Sequence, residues 1–134
     1  MNLEKINAFR KEFMGEYYHP MKERELREIL RQPHVHLVTV SDKGVLIGMA
    51  FTYLVETLTR RTLIFDEFIV AEEYRGQGYG NELLHRIVEH ARAVDADCVE
   101  CTVRDTNAIA VELYTKYGFK DKGNKSLRRW LKNK

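Results

Sequence analysis

The 134-residue chain is poor in the features that announce special chemistry. It has two cysteines, Cys98 and Cys101, in the run CVEC. A zinc site would need two further ligands, and no second cysteine pair supplies them. The surrounding DCVECTV reads as a strand, in which residues three apart point to opposite faces, so both cysteines are assigned to packing. No apolar run approaches the roughly 20 residues that cross a bilayer, and the polar start MNLEKINAFRKEF is not a signal peptide. A cytoplasmic protein with no membrane partner is expected. The net charge of +2 is too small to argue for nucleic acid. With only Pro20 and Pro33, no repeat and no low-complexity stretch, nothing marks a linker, and a single domain over 1–134 is expected.

What is present is an ordinary globular mixture, 44% hydrophobic and 31% charged, arranged in periodic segments. Leu3, Ile6, Phe9 and Phe13 recur at helical spacing, and LREIL repeats the pattern before Pro33. VHLVTVSDKGVLIGMAFTYLV reads as a hairpin around Ser-Asp-Lys-Gly, and TLIFDEFIVA as a further strand after a turn near Thr59-Arg60-Arg61. Leu83, Leu84, Ile87, Val88, Ala91 and Val94 form one helical stripe. Cys98 to Val103 reads as a short strand. Asp105 or Thr106 is placed to cap the helix AIAVELYTKY, with Gly118 as its C′ residue. Phe119 onward and SLRRWLK read as a closing pair of strands. Early hairpins and later helical crossovers together imply an α/β fold with a mixed sheet.

The segment FIVAEEYRGQGYGNELLHRIV, residues 68–88, places Gly76, Gly78 and Gly80 between a strand and a helix. Such a turn exposes free N–H groups at the positive end of the helix dipole, where phosphate oxygens are welcome. A plain tight turn explains the glycines equally well. A dinucleotide fingerprint would need glycine at position 81, which is Asn81, and no Gly-Lys-Ser/Thr completes a Walker loop.

A second block decides between these readings. Arg75-Gly76-Gln77-Gly78-Tyr79-Gly80 fits Gln/Arg-x-x-Gly-x-Gly/Ala in full and follows Phe68-Ile69-Val70; about thirty residues later stands NAIAVELYTKYGF, residues 107–119. Together these resemble the GNAT superfamily of acyl-CoA-dependent N-acetyltransferases, from about Val35 to Lys132. The resemblance implies a GNAT-like acyl-CoA N-acyltransferase fold, a central mixed β-sheet flanked by helices, with acetyl-CoA as cosubstrate. Main-chain groups of Phe68, Ile69 and Val70 would hold the pantetheine arm. Arg75, Gly76, Gln77, Gly78, Tyr79, Gly80 and the N–H of Asn81 would hold the pyrophosphate. Asn107 matches an asparagine that often touches the cofactor, although an N-cap role fits its position as well.

Acetyl transfer needs a neutral amine, a polarised thioester carbonyl and a proton for the departing thiolate. Tyr114 occupies the position of the family's frequent general-acid tyrosine, and Tyr117 is assigned to packing. Asp66 and Glu67 interrupt an otherwise apolar strand, one on each face by strict alternation. Carboxylates there are costly unless paired or used. Glu67 matches where many family members carry an acidic residue facing the acceptor and is the candidate base, with Asp66 or a water relay as alternatives.

Other features weigh less. His34 and His36 alternate in a strand without a third ligand, so no metal is expected; His85 and His90 read as ordinary helix residues. The tail KDKGNKSLRRWLKNK has seven basic residues against one acid and reads as a solvated edge. Exposed late strands would let two copies pair as a homodimer. The family's leading strand looks absent, since the chain opens on a helical pattern. The acceptor is left as a small-molecule amine or a protein or peptide amine. A noncatalytic acyl-CoA-binding or regulatory module is the competing reading, and a basic nucleic-acid adaptor is disfavoured.

Overall fold

The computed structural model describes residues 2–132. They divide into two compact units with the boundary after Cys101.

The first unit opens on α1, Leu3–Met14, capped by the Asn2 side chain, which accepts from the Lys5 N–H at 3.0 Å. Gly15, at φ +57°, ends it. A 3₁₀ turn, Gly15–Tyr17, leads to α2, Glu23–Leu30, where Glu25 reaches back to the Lys22 N–H at 3.1 Å. Strands β1 (Val35–Asp42), β2 (Val45–Glu56) and β3 (Arg61–Val70) then form an antiparallel meander. Lys43 and Gly44, both at positive φ, make the first hairpin turn. After a 3₁₀ turn at Glu72–Tyr74, α3 (Tyr79–Ala93) returns the chain to β4 (Cys98–Cys101), which lies parallel to β3. The sheet order is β1-β2-β3-β4, a mixed sheet as expected.

Helices cover both faces of this sheet. Ile6, Phe9 and Leu26 from α1 and α2 form a buried cluster with Leu46, Met49, Ile69 and Ala71. On the face of opposite parity, α3 packs against β1, β2 and β3 through Leu83, Leu84, Ile87 and Ala91, all buried. Burial of each of the larger three, Leu83, Leu84 and Ile87, contributes about 1.5–3 kcal/mol. Their spacing is the helical stripe read from the sequence.

The second unit holds α4, Ala108–Lys116. Its N-cap is Asn107, whose Oδ1 accepts from the Ala110 N–H at 3.2 Å, so the expected cap at Asp105 or Thr106 is corrected by one or two residues. The C-terminus closes as a Schellman motif. Gly118, at φ +95°, donates to the Thr115 carbonyl at 3.1 Å, and Phe119 donates to that of Tyr114 at 3.0 Å.

No strand forms in residues 119–132, and the expected closing pair is therefore a correction. A period-two pattern such as SLRRWLK supplies a strand's two faces, but a strand also needs a hydrogen-bonded neighbour. Leu127, Trp130 and Leu131 remain exposed, and Arg128 lies 5.0 Å from the Trp130 ring centroid. The residues from which pairing of two copies through late strands was expected form no strand. Residues 133 and 134 at the tail's end lie outside the described residues. No described helix is long and apolar enough to cross a membrane.

Candidate active site

Two features of β3 shape the candidate cofactor cleft. The first is its unshared edge. β4 pairs with β3 only from Thr62 to Phe65, while β3 runs on to Val70. From Asp66 to Val70 the β4-side backbone edge has no strand partner among the described residues.

The second feature is a bulge. Asp66 stands opposite Phe51 and Ile69 opposite Met49, so Ala50 of β2 faces both Glu67 and Phe68. Glu67 takes φ +55°, a conformation a non-glycine residue adopts only where the surroundings hold it. The bulge restores Ile69 to the face of Met49 and the α1–α2 cluster, which straight alternation would have denied it. It also interrupts the strict alternation expected along Asp66 and Glu67. The Glu67 carboxyl feels both Asp66 and Arg10 of α1.

Gly48 makes this distortion possible. A Cβ at position 48 would lie 2.9 Å from the Ile69 carbonyl oxygen, so only glycine allows β2 to approach β3 beside the bulge. The sequence signal was an isolated glycine inside the apolar run VLIGMAF.

The carboxylates differ in their surroundings. Asp66 Oδ2 accepts from the Tyr53 hydroxyl at 3.1 Å. Desolvation, and then the Asp66 charge and hydrogen bond, push the Tyr53 phenol above its ordinary pKa. Glu67 is exposed yet partly desolvated. Its pKa is raised first by that desolvation and second by repulsion from Asp66, with Arg10 pulling it down. The exposure and the desolvation are compatible because a group open to water on one side can still be walled by protein on the others. Cys101, half-buried on β4, is pushed up to about 11 by burial and by Asp66. Its thiol stays protonated near neutrality, in keeping with a packing role.

The glycine turn follows β3. Gly76 and Gly78 sit at φ +76° and +90°, and a Cβ on either would meet nothing within 4 Å. Backbone conformation, not crowding, selects glycine at both positions. Gly78 is the left-handed N-cap of α3 and offers no side chain; Glu82 N–H to Gly78 C=O, 3.2 Å, is the first helical bond. The first-turn amides of Tyr79, Gly80 and Asn81 therefore have no partner within the helix. Tyr79 packs edge-on against Tyr74, ring centroids 5.8 Å apart, and Gln77 donates to the Glu73 carbonyl at 3.2 Å. Arg75 is already engaged, through its Nε with the Val70 carbonyl at 2.8 Å and through Nη2 with Glu12 Oε2 at 2.9 Å. An open strand edge leading into uncapped amides fits a long ligand with a phosphate end.

Within the second unit, Tyr114 is buried and its ring lies 5.9 Å from that of Phe119, the Schellman motif's accompanying contact. Tyr117 is half-buried at the C-cap. Asn107 serves as the helix cap.

The remaining histidines and cysteines make no cluster. His36 of β1 stacks on His90 of α3 with centroids 4.3 Å apart, and His90 is lowered by desolvation and by the His36 charge. Among the described residues no group of three or more His, Cys, Asp or Glu side chains could hold a metal ion.

Residues 3–119 match the acetyltransferase (GNAT) family, and the chain belongs to that family. It is 31% identical over 96 residues, 72% of its length and 61% of the other's, to a Bacillus subtilis (strain 168) protein named as a candidate ribosomal protein bS18-alanine N-acetyltransferase. The chain spans 45–61% of the length of the curated relatives it matches. A transcriptional regulator from Bacillus halodurans C-125 shares the fold with a TM-score of 0.84 at 20% identity, covering 97% of this chain and 93% of that one. AAC(6')-Iy, solved with the bisubstrate analog CoA-S-monomethyl-acetylneamine, shares it with a TM-score of 0.77 at 17% identity, covering 96% and 90%.

Proposed function

We propose that this chain is one acetyltransferase domain, over residues 1–134, that moves an acetyl group from acetyl-CoA directly to a primary amine. The open edge of β3, running from its bulge into the uncapped first turn of α3, carries this reading. Backbone groups of Phe68, Ile69 and Val70 suit the amide-bearing pantetheine arm. The amides from Gly76 to Asn81 suit the pyrophosphate, with Gln77 and Tyr79 bordering the turn and Asn107 a further contact. The structural neighbour bound to a CoA bisubstrate analog supports a cofactor of this shape.

Acetyl-CoA supplies an activated thioester. An alkylamine with a pKa of about 10.4 is protonated near neutrality and must lose a proton before its nitrogen can attack. Glu67, with no side-chain hydrogen bond to another described residue, takes that proton directly or through water. Backbone N–H beside the bulge polarises the carbonyl as negative charge develops on its oxygen. The new N–C bond forms, the nitrogen gives up its second proton to solvent, the C–S bond breaks with its electron pair on sulfur, and the Tyr114 hydroxyl protonates the thiolate. Solvent returns the proton to the tyrosinate.

The acceptor is a small-molecule amine or a protein or peptide amine. The relative named for a ribosomal-protein alanine keeps an α-amine in the test set. Thiol release from acetyl-CoA against a panel of amines, amino acids and peptides tests the reading. Amine-dependent release supports it. CoA binding without release on any amine would favour a noncatalytic acyl-CoA-binding module.

A further inference from the structure

Arg75 is the only cation in the segment from Phe68 to Asn81, and both its partners bear on the cofactor. Its Nε holds the Val70 carbonyl at 2.8 Å, part of the backbone run assigned to pantetheine. Its Nη2 holds Glu12 Oε2 at 2.9 Å, and Glu12 belongs to α1, 63 residues earlier. Lys5 of the same helix pairs with Glu73 at 3.2 Å. Helix α1 is thus pinned at two points to the stretch joining β3 to α3. An arriving pyrophosphate would meet a guanidinium already neutralised by a carboxylate, and that carboxylate would repel it.

We infer that Glu12 and Arg75 form a partner-exchange latch, in which the cofactor's pyrophosphate displaces Glu12 from Arg75, frees the Val70 carbonyl for the pantetheine amide and loosens α1. This rests on the cofactor assignment of the proposed function. Glu12 is then a positioning residue. It sets cofactor affinity through Arg75 and couples cofactor arrival to the helix that carries Arg10, whose charge acts on Glu67. Both side chains are 48% exposed, so solvent screens the pair and the effect is modest. A change of about two- to fivefold in affinity is the scale for such a pair.

Calorimetric titration with CoA, and separately with inorganic pyrophosphate, tests the latch in four proteins: wild type, Glu12→Gln, Arg75→Gln and the double variant. Glu12→Gln should tighten binding of both probes by about two- to fivefold at low salt. It should have no effect in the Arg75→Gln background, which separates the latch from a general gain of positive charge. Amide exchange gives a second readout: α1 should exchange faster when CoA binds wild type, and at that faster rate without CoA in Glu12→Gln. Unchanged or weaker binding by Glu12→Gln, or an equal effect in the Arg75→Gln background, overturns the latch alone. Failure of the wild type to bind either probe overturns both the cofactor assignment and the latch.

Discussion

The Tyr53 hydroxyl donates to Asp66 Oδ2 at 3.1 Å, a bond that joins β2 to β3 one residue before the bulge. It gives Asp66 a structural partner, and under the proposed function it leaves the neighbouring Glu67 as the carboxylate that exchanges protons with the acceptor. A Tyr53→Phe variant should therefore weaken the sheet locally. Loss of one such charge-accepting hydrogen bond costs about 1–3 kcal/mol, read from a denaturant midpoint. Under the same assignment Asp66→Asn should retain more activity than Glu67→Gln.

Glu67→Gln should remove the rise of activity with pH that a carboxylate base produces, and leave a slower rate set by water. Stability should respond with the opposite sense. The folded pKa of Glu67 is raised, so its contribution is most favourable below the unfolded value near 4.5 and is lost as pH climbs through the folded value. Glu67→Gln should therefore raise Tm at pH 7 and leave it unchanged near pH 3. A fall in Tm at pH 7 would mean that the ionised carboxylate is held by a favourable contact.

Glycines at three positions should fail for two different reasons. Gly78→Ala forces a Cβ into φ +90° with open space around it, costing about 1–2 kcal/mol in strain. Gly118→Ala meets the same penalty at φ +95° and should also release the Phe119 contact from Tyr114. Gly48→Ala instead drives a Cβ against the Ile69 carbonyl and should cost about 1–3 kcal/mol while shifting the bulge. The distinguishing measurement is CoA affinity, which Gly48→Ala and Gly78→Ala should reduce beyond their effect on stability.

Cys101 should be a slow thiol. With its pKa pushed up to about 11, alkylation at pH 8 should run on the order of one hundredfold slower than for an unperturbed cysteine. Asp66→Asn removes one of the two causes and should speed it. Rapid modification of Cys101 in the native protein would contradict its burial beside Asp66.

The glycine turn, the α3 stripe and the antiparallel meander were legible because each is written locally, as positive-φ residues or as a period. The bulge was not. FDEFIV reads as one continuous strand, and the extra residue shows only when Ile69 must face Met49 across the ladder. Asn107 rather than Asp105 or Thr106 caps α4 because the first helical residue, which sequence fixes only to within a turn, is Ala108. Residues 119–132 misled in the opposite direction, since their alternation lacks a ladder to join. The Glu12 partner of Arg75 was not legible, because it lies a helix and three strands away in sequence.

The most direct test of the central claim is CoA release from acetyl-CoA, followed by thiol detection, with and without amine, in wild type and Tyr114→Phe. Amine-dependent release that drops on the order of 10²–10⁴-fold without the tyrosine hydroxyl is the predicted result, the range expected for loss of a positioned general acid. No binding of acetyl-CoA by the folded wild-type protein, measured by calorimetry, would contradict the account at its base.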